Sequence, residues 1–407
     1  MGVNLVVLAY FVLNGVFQIA LMVAATLELR LHSRLVAAEH IERLLGSRVA
    51  PSVSVIAPAY NEAATIAASV RALLTLRYPA LELVVVNDGS ADDTLPALKD
   101  AFELRPVHPI FRRSVPTADV LGVYRSTVVQ GLLVVDKANG GKADALNAGL
   151  NFATGQLVCA IDADTLIEPD ALLRVARPFL TRDDVVATGG TIRVVNGCEV
   201  RAGRVVSTRA PRQPLAGIQA VEYLRAFLFG RVGWNRLGGN LIVSGAFGLF
   251  RRDAVLESGG YLEDTVGEDM ELIVRLRRHA AERGGQGAVV FVPDPVAWTE
   301  VPETLRVLGR QRDRWQRGLA DVMVRHRGLV GRPSYGRLGL VVSPYFAIVE
   351  LCGPLLELVG LLSITTSVLL GVDPTLALAM LVVGFGWGVP LSLTAVLVDQ
   401  LAFGRYT

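Results

Sequence analysis

Cysteine is scarce in this chain. Cys159, Cys198 and Cys352 stand far apart, without the density of a disulfide scaffold or the spacing of a zinc site. Packing accounts for Cys159, in a strand-like run, and for Cys352, in an apolar segment, and a reducing cytosolic face fits both. Charge is thin as well, at 19% of residues against 52% hydrophobic, with a formal net charge of +2. The arginines gather beside apolar runs and do not interleave with aromatics as in single-strand binders. Nucleic acid is therefore set aside as a partner, in favour of membrane lipids and phosphate ligands. No charged residue occurs between Val3 and Leu27, a length sufficient to cross a bilayer as helix.

Arg30, His32 and Arg34 follow that run at once. The positive-inside rule then places the amino terminus outside and the remaining chain in the cytoplasm. A cleaved leader would want a basic start and a shorter apolar core, so a retained anchor over residues 1–29, followed by a cytoplasmic linker over 30–52, is the expectation. A second apolar block runs from Leu338 to Val398 and is interrupted at Gly371-Val372-Asp373-Pro374. It reads as an interfacial segment (319–343), a transmembrane helix (344–370) and a return helix (375–400). The short tail after that return suggests a piece of a longer protein. The expected location is the cytoplasmic (inner) membrane, multi-pass, with the soluble part on the cytoplasmic side.

Between the membrane parts, Val53–Ala59, Leu81–Val86, Leu132–Val135 and Leu157–Ile161 read as buried strands alternating with helical patterns such as Ala63–Leu76 and Ala143–Ala153. That alternation predicts an α/β domain over 53–318 built on a parallel sheet. Ligands of such sheets sit at the carboxyl ends of the strands. Three strands end in polar groups: Tyr60-Asn61-Glu62, Asp88-Gly89-Ser90 and Asp162-Ala163-Asp164. Each alone could be a helix cap or turn. Their shared edge argues for a ligand site, and oxygen ligands of this kind suit a hard divalent ion, Mg²⁺ or Mn²⁺. Asp136-Lys-Ala-Asn-Gly-Gly-Lys142 lies just before the third set. Its glycines permit close backbone approach, and Lys142 can reach a phosphate as a point charge. Walker spacing is absent, and a plain turn before a helix is the competing account.

Taken in order, Asp88, Asp162-Ala163-Asp164, Glu268-Asp269 and Gln311-Arg-Asp-Arg-Trp315 resemble the motif set of processive family 2 glycosyltransferases, the membrane synthases of cellulose, chitin, hyaluronan and poly-N-acetylglucosamine. Ser244-Gly-Ala-Phe-Gly-Leu-Phe-Arg-Arg252 looks most like the hyaluronan, chitin and poly-N-acetylglucosamine branch. The likeness spans about Val53 to Arg317 and the membrane layout at both ends. It implies a GT-A (Rossmann-like) domain flanked by transmembrane helices, and inverting transfer from a UDP-sugar to a growing glycan. By the same resemblance Asp88 holds the uracil or ribose side, with Tyr60 and Glu62 lining that pocket. Asp162 contacts the nucleotide sugar, Asp164 coordinates the metal, and Lys142 is a secondary phosphate contact. Asp269 is the expected general base. Glu268 precedes it as an acid at a helix start, and helix capping is the bland account of both.

Ser244 and Phe247 are expected near the acceptor sugar, with a close-packed core strand as the rival reading. On a helix Gln311, Arg314 and Trp315 fall at i, i+3 and i+4 and share one face. Arg314 can then bind the diphosphate, Trp315 can carry an acceptor ring, and Gln311 can hydrogen-bond near the donor or the acceptor. A basic interfacial helix explains the arginines but not the alignment. Glu350 and Glu357 share a face of an apolar helix and predict a polar path or a helix–helix hydrogen bond. Three spans are few for a complete channel, so a second copy or an accessory export protein is an expected partner. Single-sugar transfer to a lipid or short glycan, and an inactive membrane scaffold, are the alternatives. Arg105–Gln130 and Asn196–Pro214 match nothing assignable.

Overall fold

The computed structural model describes residues 2–38, 50–162, 165–285, 287–371 and 374–404. Much of the 30–52 linker (39–49), as well as Ala163 and Asp164, therefore lies outside the described residues. Twelve strands form in chain order: β1 (Val53–Ala59), β2 (Leu81–Asp88), β3 (Leu104–Pro106), β4 (Val120–Ser126), β5 (Leu132–Lys137), β6 (Leu157–Ile161), β7 (Leu166–Ile167), β8 (Val185–Val194), β9 (Glu199–Arg201), β10 (Arg204–Ser207), β11 (Phe247–Arg251) and β12 (Ala288–Thr299).

Ten of them make one sheet in the order β3-β4-β5-β2-β1-β6-β11-β8-β12-β7, while β9 and β10 form a separate hairpin. β1 pairs in parallel with both β2 and β6, and β2 with β5. β11 runs antiparallel between β6 and β8. Period-two alternation divides each central strand between two layers. Val53, Val55, Ala57 and Ala59 face one core, with Leu83 and Val85. Ile56 faces the other, with Val84 and Val86. Apolar side chains on both faces are what a parallel sheet covered by helices requires. The Lys142–Phe152 and Glu268–Glu282 helices cover the second layer.

The two unassigned segments fall at the periphery. Arg105–Gln130 supplies β4 and part of β3 at the sheet's edge, and Asn196–Pro214 contains the β9–β10 hairpin. The first helix covers Gly2–Ala38, extending past the boundary read at residue 29. The segment read as interfacial opens inside a long helix, Leu305–Arg325. Its apolar continuation, Leu338–Leu351, is broken into short pieces before the Gly353–Leu370 helix begins. Three helical stretches, Asn4–Leu35, Gly353–Leu370 and Pro374–Ala402, are long and apolar enough to cross a membrane.

A third core joins these parts. Leu21 of the first helix, Trp234, Met270 and Val274, Val322 and Met323, and Tyr345 and Phe346 pack into one cluster. Phe17 stacks on Tyr345 at 4.5 Å between ring centroids. The helices that bear Glu268-Asp269 and Gln311–Trp315 thus share their packing with membrane-level elements.

Candidate active site

The carboxyl ends of β1 and β2 are stitched into one rim. Asn61 adopts a left-handed conformation (φ 55°), which asparagine tolerates better than most residues. Its amide donates to Ser90 Oγ at 3.0 Å, and its side-chain oxygen accepts the Ala91 N–H at 2.9 Å. Glu62 N–H donates to Thr94 Oγ1 at 2.8 Å, and its carboxylate accepts the Thr65 hydroxyl at 2.7 Å. The Tyr60 ring stands open at 53% exposure.

Asp88 does not face that opening. Its carboxylate is buried and accepts the backbone N–H groups of Gly140 at 3.0 Å and Gly141 at 2.8 Å, besides the Lys137 ammonium. The resemblance placed Asp88 on the uracil or ribose side; here both of its oxygens accept hydrogen bonds that shape the loop before Lys142. Lys137 is fully buried between Asp88 and Asp144, and Asp144 in turn accepts the Ala118 N–H at 2.8 Å. A buried ammonium with two carboxylates replaces its lost hydration by direct contacts. Gly89 (φ 63°) is required here, because a Cβ would stand 2.5 Å from Asn139 N. Neither Lys137 nor Asp144 was singled out in the sequence, although Lys137 lies in the stretch that holds the glycines and Asp144 in the first turn of the helix after it.

At the end of β6 the charged groups converge. Lys142, the first residue of its helix, places Nζ 2.6 Å from Asp162 Oδ1 and 3.3 Å from Glu268 Oε1. Burial alone would lower the Lys142 ammonium. The Asp162, Glu268 and Asp269 carboxylates outweigh it and hold the group above the ordinary lysine value. Asp269 borders the same space: a Cβ on Gly245 would stand 3.2 Å from Asp269 Oδ2 and 3.7 Å from Lys142 Nζ. The Asp162 N–H donates to Ala246 O at 3.4 Å, which sets Ser244–Ala246 beside the acids. Ser244 Oγ accepts the Ala246 N–H at 3.2 Å. Phe247 is another correction. It is 0% exposed in the main core, so it supports the strand and cannot meet an acceptor. The Gly238-Gly239-Asn240 loop is held by buried Arg277, which donates to all three carbonyls.

The fourth wall is the Leu305–Arg325 helix. Gly318 lies one turn beyond Arg314 and Trp315, and a Cβ on Gly267 would stand 3.2 Å from Gly318 Cα. This close backbone crossing brings the helix against the residue that immediately precedes Glu268-Asp269. Arg314 is exposed, and Trp315 is 39% exposed. Gln311 Oε1 is buried and accepts no hydrogen bond among the described residues. At the far end of the helix, His326 Nε2 lies 3.2 Å from Glu271 Oε1. Glu271 also binds Arg275, with nitrogen–oxygen distances of 2.8 to 3.1 Å. Arg231, partly buried, donates to Ile242 O at 2.7 Å and to Val243 O. Burial pushes its guanidinium down to about 10 against the opposing pull of Asp269. Glu271, His326 and Arg231 carried no motif signal that would have found them.

Residues 50–318 fit the sequence model of the family described as "Glycosyltransferase like family 2". The chain belongs to that family. Among its relatives, the poly-beta-1,6-N-acetyl-D-glucosamine synthase of Staphylococcus epidermidis is 27% identical over 274 residues, covering 67% of this chain and 56% of that protein. The synthase of the same name from Staphylococcus aureus is 29% identical over 269 residues, covering 65% and 54%. The chain thus spans little more than half the length of these curated relatives. A solved mannosyltransferase from Pyrobaculum calidifontis, in complex with GDP-Man and Mn²⁺, is 23% identical and superposes with a TM-score of 0.54 over 95% of this chain and 98% of that one. That likeness shows the GT-A fold, so the family 2 assignment and the sheet order agree.

Proposed function

We propose that this family 2 glycosyltransferase transfers sugar from a UDP-sugar donor to a growing β-linked glycan with inversion, at the cytoplasmic face of a membrane. The convergence of Lys142, Asp162, Glu268 and Asp269 at the strand ends, beside the exposed Arg314–Trp315 face, carries this reading. The names of the staphylococcal relatives support N-acetylglucosamine as the sugar.

In the proposed reaction Asp269 takes the proton of the acceptor hydroxyl as its oxygen bonds to the anomeric carbon. The bond from that carbon to the diphosphate breaks, and UDP leaves with the electron pair. Lys142 and Arg314 offset the charge growing on the diphosphate. Trp315 presents a ring face to the acceptor sugar, and Tyr60 lines the nucleotide side. Glu62 faces the nucleotide less directly because Thr65 already engages its carboxylate, and Asp88 acts by holding the Gly140–Gly141 turn. Gln311, with its free buried carbonyl, hydrogen-bonds the bound sugar, and Ser244 borders the acceptor.

The oxygen donors here fit Mg²⁺ or Mn²⁺ as part of a set completed by substrate phosphates. Among the described residues no group of three or more potential ligands could hold an ion alone. Asp162, about a third exposed, offers one carboxylate, and Asp164 is the second proposed ligand. A divalent ion held there would supply positive charge to the leaving diphosphate.

The test is turnover of detergent-purified protein with Mg²⁺ or Mn²⁺ and a panel of UDP-sugars, following UDP release and product length. Long products with one donor, and a loss of about a hundred- to ten-thousandfold in Asp269→Asn, are expected. A product one sugar longer than its acceptor would assign single transfer instead. No UDP release with any donor would overturn the assignment.

A further inference from the structure

A pair of residues far apart in the chain meets beside Trp315. The Arg312 guanidinium lies 4.8 Å from the Trp315 ring centroid, over its face. The same guanidinium reaches Glu222 Oε2 at 2.6 Å. Glu222 belongs to the Pro214–Leu224 helix, which continues through wider π-type turns, Arg225–Arg231, into Val232–Leu237. That continuous segment packs on the first membrane-length helix. It also carries Arg231, at which the charge of Asp269 is felt.

An ion pair this exposed, with 37% and 38% of the two side chains accessible, contributes little to stability. Its consequence is geometric. Arginine has several rotamers along a flexible stem, and a second anchor restricts them. With Glu222 holding one edge of the guanidinium, the planar cation stays over one face of the indole. A sugar ring can then stack only on the opposite face.

We propose that Glu222 and Arg312 are positioning residues for the acceptor. They clamp Trp315 from behind and so fix the plane on which the acceptor sugar lies. This deepens the transferase reading, on which it rests, and gives the Pro214–Arg231 segment a part in acceptor binding.

The experiment compares wild type with Glu222→Gln, Arg312→Gln, the double variant and Arg312→Lys. UDP-N-acetylglucosamine is the donor and a short β-linked N-acetylglucosamine oligosaccharide the acceptor. Glu222→Gln is expected to raise the acceptor KM about tenfold, leaving the donor KM and acceptor-free donor hydrolysis unchanged. Arg312→Gln should do the same, and the double variant no more than either alone, since the two residues act as one unit. Arg312→Lys keeps a cation over the ring and should recover part of the loss.

Acrylamide quenching of Trp315 gives a readout independent of turnover. It would be measured with Trp387→Phe in the background, because Trp234 and Trp298 are buried and Trp387 is 44% exposed. Quenching should rise in Glu222→Gln as the covered face opens. Unchanged quenching with an unchanged acceptor KM would overturn the clamp. Absence of donor turnover in wild type would overturn the transferase reading, while the quenching result would still decide the clamp.

Discussion

Lys142 stands among three carboxylates, and its environment says when its charge is available. Its folded value lies above the ordinary 10.5, because Asp162, Glu268 and Asp269 more than offset the lowering by burial. Stability from those contacts is complete below the unfolded value. It is lost only as pH rises through the higher folded one. A melting-temperature series should therefore show no Lys142-linked step below about pH 10, and a step there that disappears in Lys142→Met would contradict the assignment. Lys142→Met should also raise the UDP-sugar KM about tenfold or more, as for loss of a charge-assisted phosphate contact. Steady-state kinetics of the folded variant checks this. Asp162 and Glu268 would then face each other without the intervening cation, so a lower catalytic rate is expected together with weaker donor binding.

The two helices that frame the site hold one another by backbone approach and by one buried charge cluster. Gly267 and Gly318 lie so close that a Cβ on either would stand 3.2 Å from the other's Cα, tighter than an ordinary contact. Gly318→Leu should push the Arg314–Trp315 face away from the Glu268-Asp269 turn. It should cost about 1–3 kcal/mol of stability and reduce transfer more than donor binding, read by melting temperature and by kinetics. Glu271 ties the same helices through His326, while Arg275 on its own helix completes the cluster. Burial alone would raise its carboxyl, but the His326 and Arg275 contacts prevail and hold it below the ordinary 4.5. Its contribution is thus present above 4.5 and lost as pH falls through the folded value. Glu271→Gln, which leaves the largely buried Arg275 without a carboxylate and only the Ser258 and Gly260 carbonyls as acceptors, should cost about 1–3 kcal/mol at neutral pH. In denaturation series the gap to wild type should narrow below about pH 4.5. A gap independent of pH would mean that the carboxylate charge is not what matters there.

At the scale of the molecule, the catalytic sheet and the membrane-length helices are joined by the shared aromatic cluster, by His32 of the first helix against Asp294 of β12 at 2.6 Å, and by a buried pair at the other end of the chain. Arg193 at the end of β8 pairs with Asp399 of the last helix at 2.5 Å, both buried. The guanidinium also lies 5.9 Å from the Trp298 ring centroid and 5.8 Å from that of Phe403. Asp399→Ala leaves the guanidinium buried without that carboxylate and should cost about 3–5 kcal/mol. Arg193→Met with Asp399→Leu should recover most of it, because two apolar residues of similar volume carry no desolvation penalty. Thermal unfolding in detergent measures both. Equal losses in the single and double variants would place the effect in packing and not in charge.

The sequence by itself determined the α/β class, the strand-end acids, the apolar lengths and the shared face of Gln311, Arg314 and Trp315. Each follows from a local period: two for strands, 3.6 for helices, and an apolar run against bilayer thickness. Such periods say where a side chain starts and which face it leaves from. Only the tertiary structure decided where those faces meet. It turned Asp88 inward to hold a loop, because Lys137 and the Gly140–Gly141 amides satisfy its oxygens. It placed Phe247 in the core, since β11 lies between β6 and β8. It also paired Arg312 with Glu222, Glu271 with His326, and Arg193 with Asp399. No spacing rule links partners so distant in the chain. Their pairing depends on which layers pack, and on the cost of leaving a buried charge without an opposite one.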